Sequence, residues 1–136
     1  MTSPLPRQRR PWILRGLPIV FWAAALALPL SVTAEGLSAM EVEKIEGLIA
    51  AGEHQTDAAF IRNNQAYDST VAAEFLRRKW QAQTFRVGSA EDFIEKVGSF
   101  SSTSGRPYLI RFEDGREIAC SVFLRAELAK LQRMPK

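Results

Sequence analysis

The chain has 136 residues, room for one domain, with 18 basic against 15 acidic side chains. Four basic residues, Arg7, Arg9, Arg10 and Arg15, precede position 35, where no acid occurs, so the remainder holds 14 basic and 15 acidic groups and is nearly neutral. That balance takes away the footing for a nucleic-acid partner, and a single cysteine, Cys120, excludes an internal disulfide.

Residues 1–34 read as a signal peptide. An Arg- and Pro-rich start is followed by the uncharged run Gly16–Ala34, which ends in Val32-Thr33-Ala34. Cleavage is expected after Ala34, leaving residues 35–136 as one compact domain in the periplasm. No Cys follows the apolar run, so a lipid anchor is not expected. Arg9-Arg10 before Trp12-Ile13 is a weak twin-arginine match, and the export route stays open. The alternative is an uncleaved leader anchoring the protein in the inner membrane, since the run is about long enough to span a bilayer. Contact with a membrane is expected only through that leader.

Ser38-Ala-Met-Glu41 is a capping box. It opens a helix whose Val42, Ile45, Leu48 and Ile49 share one face, with Gly52 as its stop. Ala59–Tyr67 reads as a hairpin turning on Asn63-Asn64, with Phe60 opposite Tyr67. Asp68, Ser69 or Thr70 caps a second helix reaching about Gln83, with Ala72, Phe75, Leu76 and Trp80 as its stripe. The cations Arg77-Arg78-Lys79 read as a solvated face rather than an anion patch.

Ser89 opens a short third helix that turns Phe93, Ile94 and Val97 inward and ends at Gly98. A hydroxyl-rich loop, Ser99–Gly105, leads to a strand starting at Pro107. The next turn has two possible registers. A two-residue loop at Asp114-Gly115 pairs apolar with charged residues. A three-residue loop, Glu113-Asp114-Gly115 with Gly115 left-handed, pairs Arg111 with Glu117 and Ile110 with Ile118, and brings Tyr108 near Cys120. The second register is expected. Ser121 caps a last helix through Gln132, with Leu124, Leu128 and Leu131 on one face. The order α, β-hairpin, α, α, β-hairpin, α predicts an α+β domain whose hairpins can share one antiparallel sheet.

Four stretches carry a resemblance: Phe60-Ile-Arg-Asn-Asn64, Ala72-Ala-Glu-Phe-Leu-Arg-Arg-Lys79, Ala90-Glu-Asp-Phe-Ile94 and Ser101-Ser-Thr-Ser-Gly-Arg-Pro-Tyr108. In this order they resemble a family of small exported bacterial proteins catalogued as a domain of unknown function (family 5329). The resemblance implies a periplasmic location and one compact domain. It implies no reaction.

Ser101, Ser102, Thr103 and Ser104 are the candidate nucleophiles or anion cradle. A serine nucleophile needs a positioned base; the single histidine, His54, falls in the loop after the first helix, Lys79 or Lys96 could serve only with a lowered pKa, and no Gly-x-Ser-x-Gly elbow is present. The expected role of these hydroxyls is to cap the third helix and hold loop backbone. No catalytic residue is assigned. The binding candidates are Ser101, Ser102, Ser104, Arg106 and Tyr108, with Arg62 and Asn63, for a carboxylate or phosphate. His54 lacks partners at zinc spacing, Glu113-Asp114-Gly115 lacks the spaced oxygens of a calcium loop, and no metal or cofactor is expected. The reading is a non-enzymatic envelope domain that binds an unknown ligand or protein. The alternatives are a small hydrolase using a Ser of the Ser101–Gly105 loop and a membrane-tethered interaction module.

Overall fold

The computed structural model describes residues 36–134. The expected signal peptide and its cleavage site lie outside the described residues. Four helices and a four-stranded antiparallel sheet make an α+β domain, as the pattern predicted. The elements are α1 (Ala39–Glu53), β1 (Ala59–Arg62), β2 (Gln65–Tyr67), α2 (Ser69–Gln81), α3 (Ala90–Phe93), β3 (Leu109–Arg111), β4 (Glu117–Ala119) and α4 (Cys120–Arg133). A π turn, Ile94–Gly98, continues α3. Among the described residues, no helix is long and apolar enough to cross a membrane.

Turn chemistry sets the sheet. Asn63 and Asn64 both take positive φ, 52° and 67°, which the hairpin turn between β1 and β2 demands and which Asn tolerates. That fixes Phe60 opposite Tyr67. Gly115, at φ 81°, closes the three-residue loop between β3 and β4. Arg111 therefore faces Glu117, with an ion pair at 2.6 Å, and Ile110 faces Ile118. β1 pairs β3, so the hairpins join in the order β2-β1-β3-β4. Pairing sets Tyr67, Phe60, Ile110 and Ile118 in one row across the sheet. Against this face packs a core that includes Ile45, Leu48, Phe93, Val97 and Leu124, with Trp80 edge-on to Phe93 at 6.0 Å.

Several boundaries differ from the sequence pattern, each for a local reason. α1 runs through Gly52 to Glu53, and Val42 is 37% exposed rather than in the core. The Ser38 hydroxyl caps α1 by accepting from the Glu41 N–H, but the Glu41 carboxylate does not reach back. It accepts instead from the Ala90 N–H at 2.7 Å and binds Lys44 at 2.7 Å, so one helix start caps another. Lys44 and then the Ala90 N–H hold that carboxyl below the usual carboxylate range. α2 stops at Gln81, and a 3₁₀ turn, Thr84–Arg86, follows. Leu76 and Trp80 of its expected stripe are buried, Ser69 and Ala73 complete the buried face, and Ala72 and Phe75 are half-buried beside it. Pro107 bridges to Phe100, and β3 begins two residues later. α4 starts at Cys120 with Ala119 in the cap position, so Ser121 is not the cap.

Cys120 is 2% exposed, and burial pushes its thiol up to about 12. The thiol thus stays protonated and shielded from disulfide exchange between chains. In the native protein it is expected to resist a soluble thiol reagent that labels it fully in denaturant. Gly98 packs so closely that an added Cβ would come within 2.5 Å of the buried Leu124 Cδ1. Gly98→Ala is expected to cost about 1–3 kcal/mol in denaturant unfolding.

Candidate functional site

The serine loop is closed by its own backbone. The Ser101 N–H donates to Arg106 O at 2.9 Å, the Gly105 N–H to Ser101 O at 2.8 Å and the Tyr108 N–H to Ser99 O at 2.9 Å. Gly105 sits at φ 69°, where a side chain would be strained. Ser101 is 1% exposed, and its hydroxyl meets Thr103 Oγ1 at 3.0 Å and Asn63 Nδ2 at 3.5 Å. Ser104 donates to Asn63 Oδ1 and accepts from the Arg106 N–H. Asn63 thus turns the first hairpin and clamps the loop to it. Ser99 caps the π turn by donating to Ile94 O. These contacts place Ser101, Ser104 and Asn63 in the scaffold of the loop.

A two-lobed cleft lies between α2 and the sheet. The apolar lobe, about 140 Å³, is lined by Phe60, Ile61, Tyr67, Val71, Ala72 and Leu76, with Cys120 at its floor. A second lobe, about 430 Å³, adds Lys79, Ser102 and Thr103. Arg62, Phe75, Arg78 and Tyr108 line both lobes. Of the candidate site residues named from the sequence, the cleft thus gathers Arg62, Ser102, Thr103 and Tyr108. Arg106 is exposed and does not line it.

Arg78 and Lys79 line the cleft, so the solvated-face reading of the three cations needs correction, and Lys79 carries the burial that the sequence alone does not show. Arg77 pairs with Glu46 at 3.3 Å and Glu53 at 3.1 Å on α1. Arg78 is exposed at the cleft rim. Lys79 turns inward, 2.8 Å from Val97 O, 2.6 Å from Phe100 O and 3.2 Å from the Tyr108 hydroxyl. A signal was present. Lys79 stands four residues after Phe75 and seven after Ala72, on their helical face.

The electrostatics are one-sided. Among the described residues, no carboxylate pairs with Arg62, Arg78 or Lys79. The Arg62 guanidinium lies 4.4 Å over the Phe75 ring, and Phe75 meets Tyr108 edge-on at 5.9 Å. Arg62 Nε is shut off from solvent without a hydrogen-bond partner in the protein. Burial lowers Lys79 from 10.5 to about 8, with Arg62 repulsion adding to it. Burial also raises the Tyr108 phenol, against the pull of Arg62.

This geometry suits anion binding better than acid–base work. The three contacts of Lys79 Nζ occupy the three donors of an ammonium, and no hydrogen bond joins it to Ser102. His54 lies at the end of α1 beside a separate depression lined by Asp57, Glu113 and Asp114. Among the described residues, no three His, Cys, Asp or Glu side chains come together as metal ligands.

Residues 39–132 match a family of unknown function, DUF5329, and every cleft residue falls within that span. The chain is 37% identical over 90 residues to YfeK, an uncharacterized protein of Salmonella typhimurium, across 66% of this chain and 74% of that one. No solved structure matches the chain.

The depressed Lys79 predicts a pH signature. Folded Lys79 releases its proton near pH 8, and an ordinary lysine does so near 10.5. Between these values the unfolded chain binds more protons, so native stability rises with pH there. Below pH 8 the cost of burying the charge is fully present. Denaturant midpoints are expected to climb in the wild type from pH 8 to about 9, and Lys79→Met is expected to lose that climb. The buried Cys120 thiol, raised from 9.0 to about 12, opposes the trend above about 9, and the raised Tyr108 phenol adds to that opposition above 10.0.

Proposed function

The chain belongs to the DUF5329 family of unknown function, and from that membership and the cleft we propose that it is an exported envelope protein that binds a small organic anion without transforming it. The observation that carries the binding reading is the cluster of Arg62, Arg78 and Lys79 around one cleft with no acidic partner among the described residues. Unpaired cations beside a half-enclosed apolar wall attract an anion strongly, because low dielectric strengthens the attraction. The charge-rich start and uncharged run of residues 1–34 support export.

A hydrolase is the second reading, because Ser102 and Lys79 line the same lobe. It requires Lys79 to leave two carbonyls and a phenol before it can accept a proton. A fluorophosphonate probe distinguishes the readings, and a covalent adduct on Ser102 would establish the hydrolase.

The binding reading is tested by calorimetric titration with acetate and inorganic phosphate. Arg62→Gln and Arg78→Gln are each expected to weaken binding about fivefold or more, a loss of one charge-assisted contact. Arg106→Ala, outside the cleft, is expected to leave affinity unchanged. Equal affinity across wild type and the Arg62 and Arg78 variants would remove the reading.

A further inference from the structure

Resting on that binding reading, we infer that the ligand is a monocarboxylate carrying one ring-sized apolar group, such as an aryl acid. The carboxylate engages Arg62 and the ring fills the apolar lobe. Size argues for this first. A lobe of about 140 Å³ compares with a protein cavity of roughly 150 Å³ that accepts benzene. A long acyl chain exceeds that lobe and would have to run past the cations into the neighbouring one of about 430 Å³, and acetate or phosphate leaves the apolar lobe unfilled.

Wall chemistry argues second. Phe60, Tyr67, Phe75 and Tyr108 bring four aromatic faces and edges to a lobe completed by aliphatic side chains. A flat ring makes offset or edge contacts with such walls, worth about 0.5–1.5 kcal/mol beyond burial. The lobe holds no acidic side chain to welcome a cation.

The anchor argues third. Arg62 is not a loose surface cation. Its guanidinium is stacked on Phe75, its Nε lacks a partner in the protein, and it stands where the two lobes meet. A fixed planar guanidinium matches a planar carboxylate through two parallel N–H bonds. Lys79 and Arg78 add charge without that directionality. The Tyr108 hydroxyl, 3.2 Å from Lys79 Nζ, supplies a polar edge beside it.

The test is calorimetry of the purified protein with acetate, inorganic phosphate, hexanoate, decanoate, phenylacetate, phenyl phosphate and benzylammonium. Phenylacetate is expected to bind about tenfold or more tighter than acetate, and phenyl phosphate binding as tightly as phenylacetate would overturn the carboxylate while leaving the ring. Decanoate is expected to gain nothing over hexanoate, and benzylammonium not to bind. Arg62→Lys keeps the charge but loses the fork, and should weaken phenylacetate about tenfold. Val71→Trp, at an exposed rim position, should block the lobe and reduce phenylacetate to the affinity of acetate. If acetate and phosphate bind as tightly as phenylacetate, the ring-sized ligand is wrong and the anion cleft stands. If none of the anions binds, or benzylammonium binds equally well, both readings fall.

Discussion

Lys79 ties together the parts that make the cleft. Its ammonium leaves α2, reaches under the serine loop and binds the carbonyls of Val97 and Phe100 as well as the Tyr108 hydroxyl. Those carbonyls lie where the π turn ends and the loop begins, where helix-end acceptors otherwise lack donors. One side chain thus joins α2, the end of α3's extension and the strand approach at Tyr108. Burial acts against its charge, as the lowered proton affinity shows. Three oxygen contacts and the faces of Phe100 and Tyr108, 5.3 Å and 4.9 Å from Nζ, offset that cost. With this tie in place, the hydroxyl of Ser101 and the amide of Asn63 only have to fix the loop's outer half.

The cleft follows from how the sheet meets α2. The buried face of α2, through Ala73, Leu76 and Trp80, goes to the core. Its flanking face, through Val71, Ala72, Phe75 and Arg78, overhangs the first hairpin. Ala72 is too small to close the gap above Phe60 and Tyr67, so a lobe remains. Arg62 points to that side because it lies two residues from Phe60 on the same strand, and alternate residues share a face. Extending the β1–β3 ladder one step beyond Ile61 and Leu109 sets Arg62 beside Tyr108. A sheet register thereby places a cation next to an aromatic at the mouth of an apolar space.

Much of this was legible in the residues, and the reasons differ from part to part. Both hairpin registers could be read because Asn63-Asn64 and Gly115 dictate turn geometry, and only one register at the second turn sorts charges from apolar groups. The α+β class followed from alternating helix and hairpin patterns. The scaffold role of Ser101 and Ser104 follows from the tendency of hydroxyls to bond nearby backbone and turn residues. The stripe of α2 was legible through Leu76 and Trp80, but alanines at 72 and 73 fit either side of it, and only packing decides between them. Lys79 was hidden by its company, since a charged residue in a run of three cations reads as solvent-facing even four residues after Phe75 on the same face. Arg106 misled in the opposite direction, because nearness in sequence to the serines does not bring its side chain into the cleft.

Cys120 occupies the first turn of α4, is buried, and as the single cysteine has no partner thiol in its own chain. The domain closes without forming a single covalent cross-link. Its folding therefore needs neither an oxidant nor an isomerase, and the same native state is reachable in reducing and oxidising surroundings. Recombinant production in a reducing cytosol is thus a legitimate source of native material for ligand work.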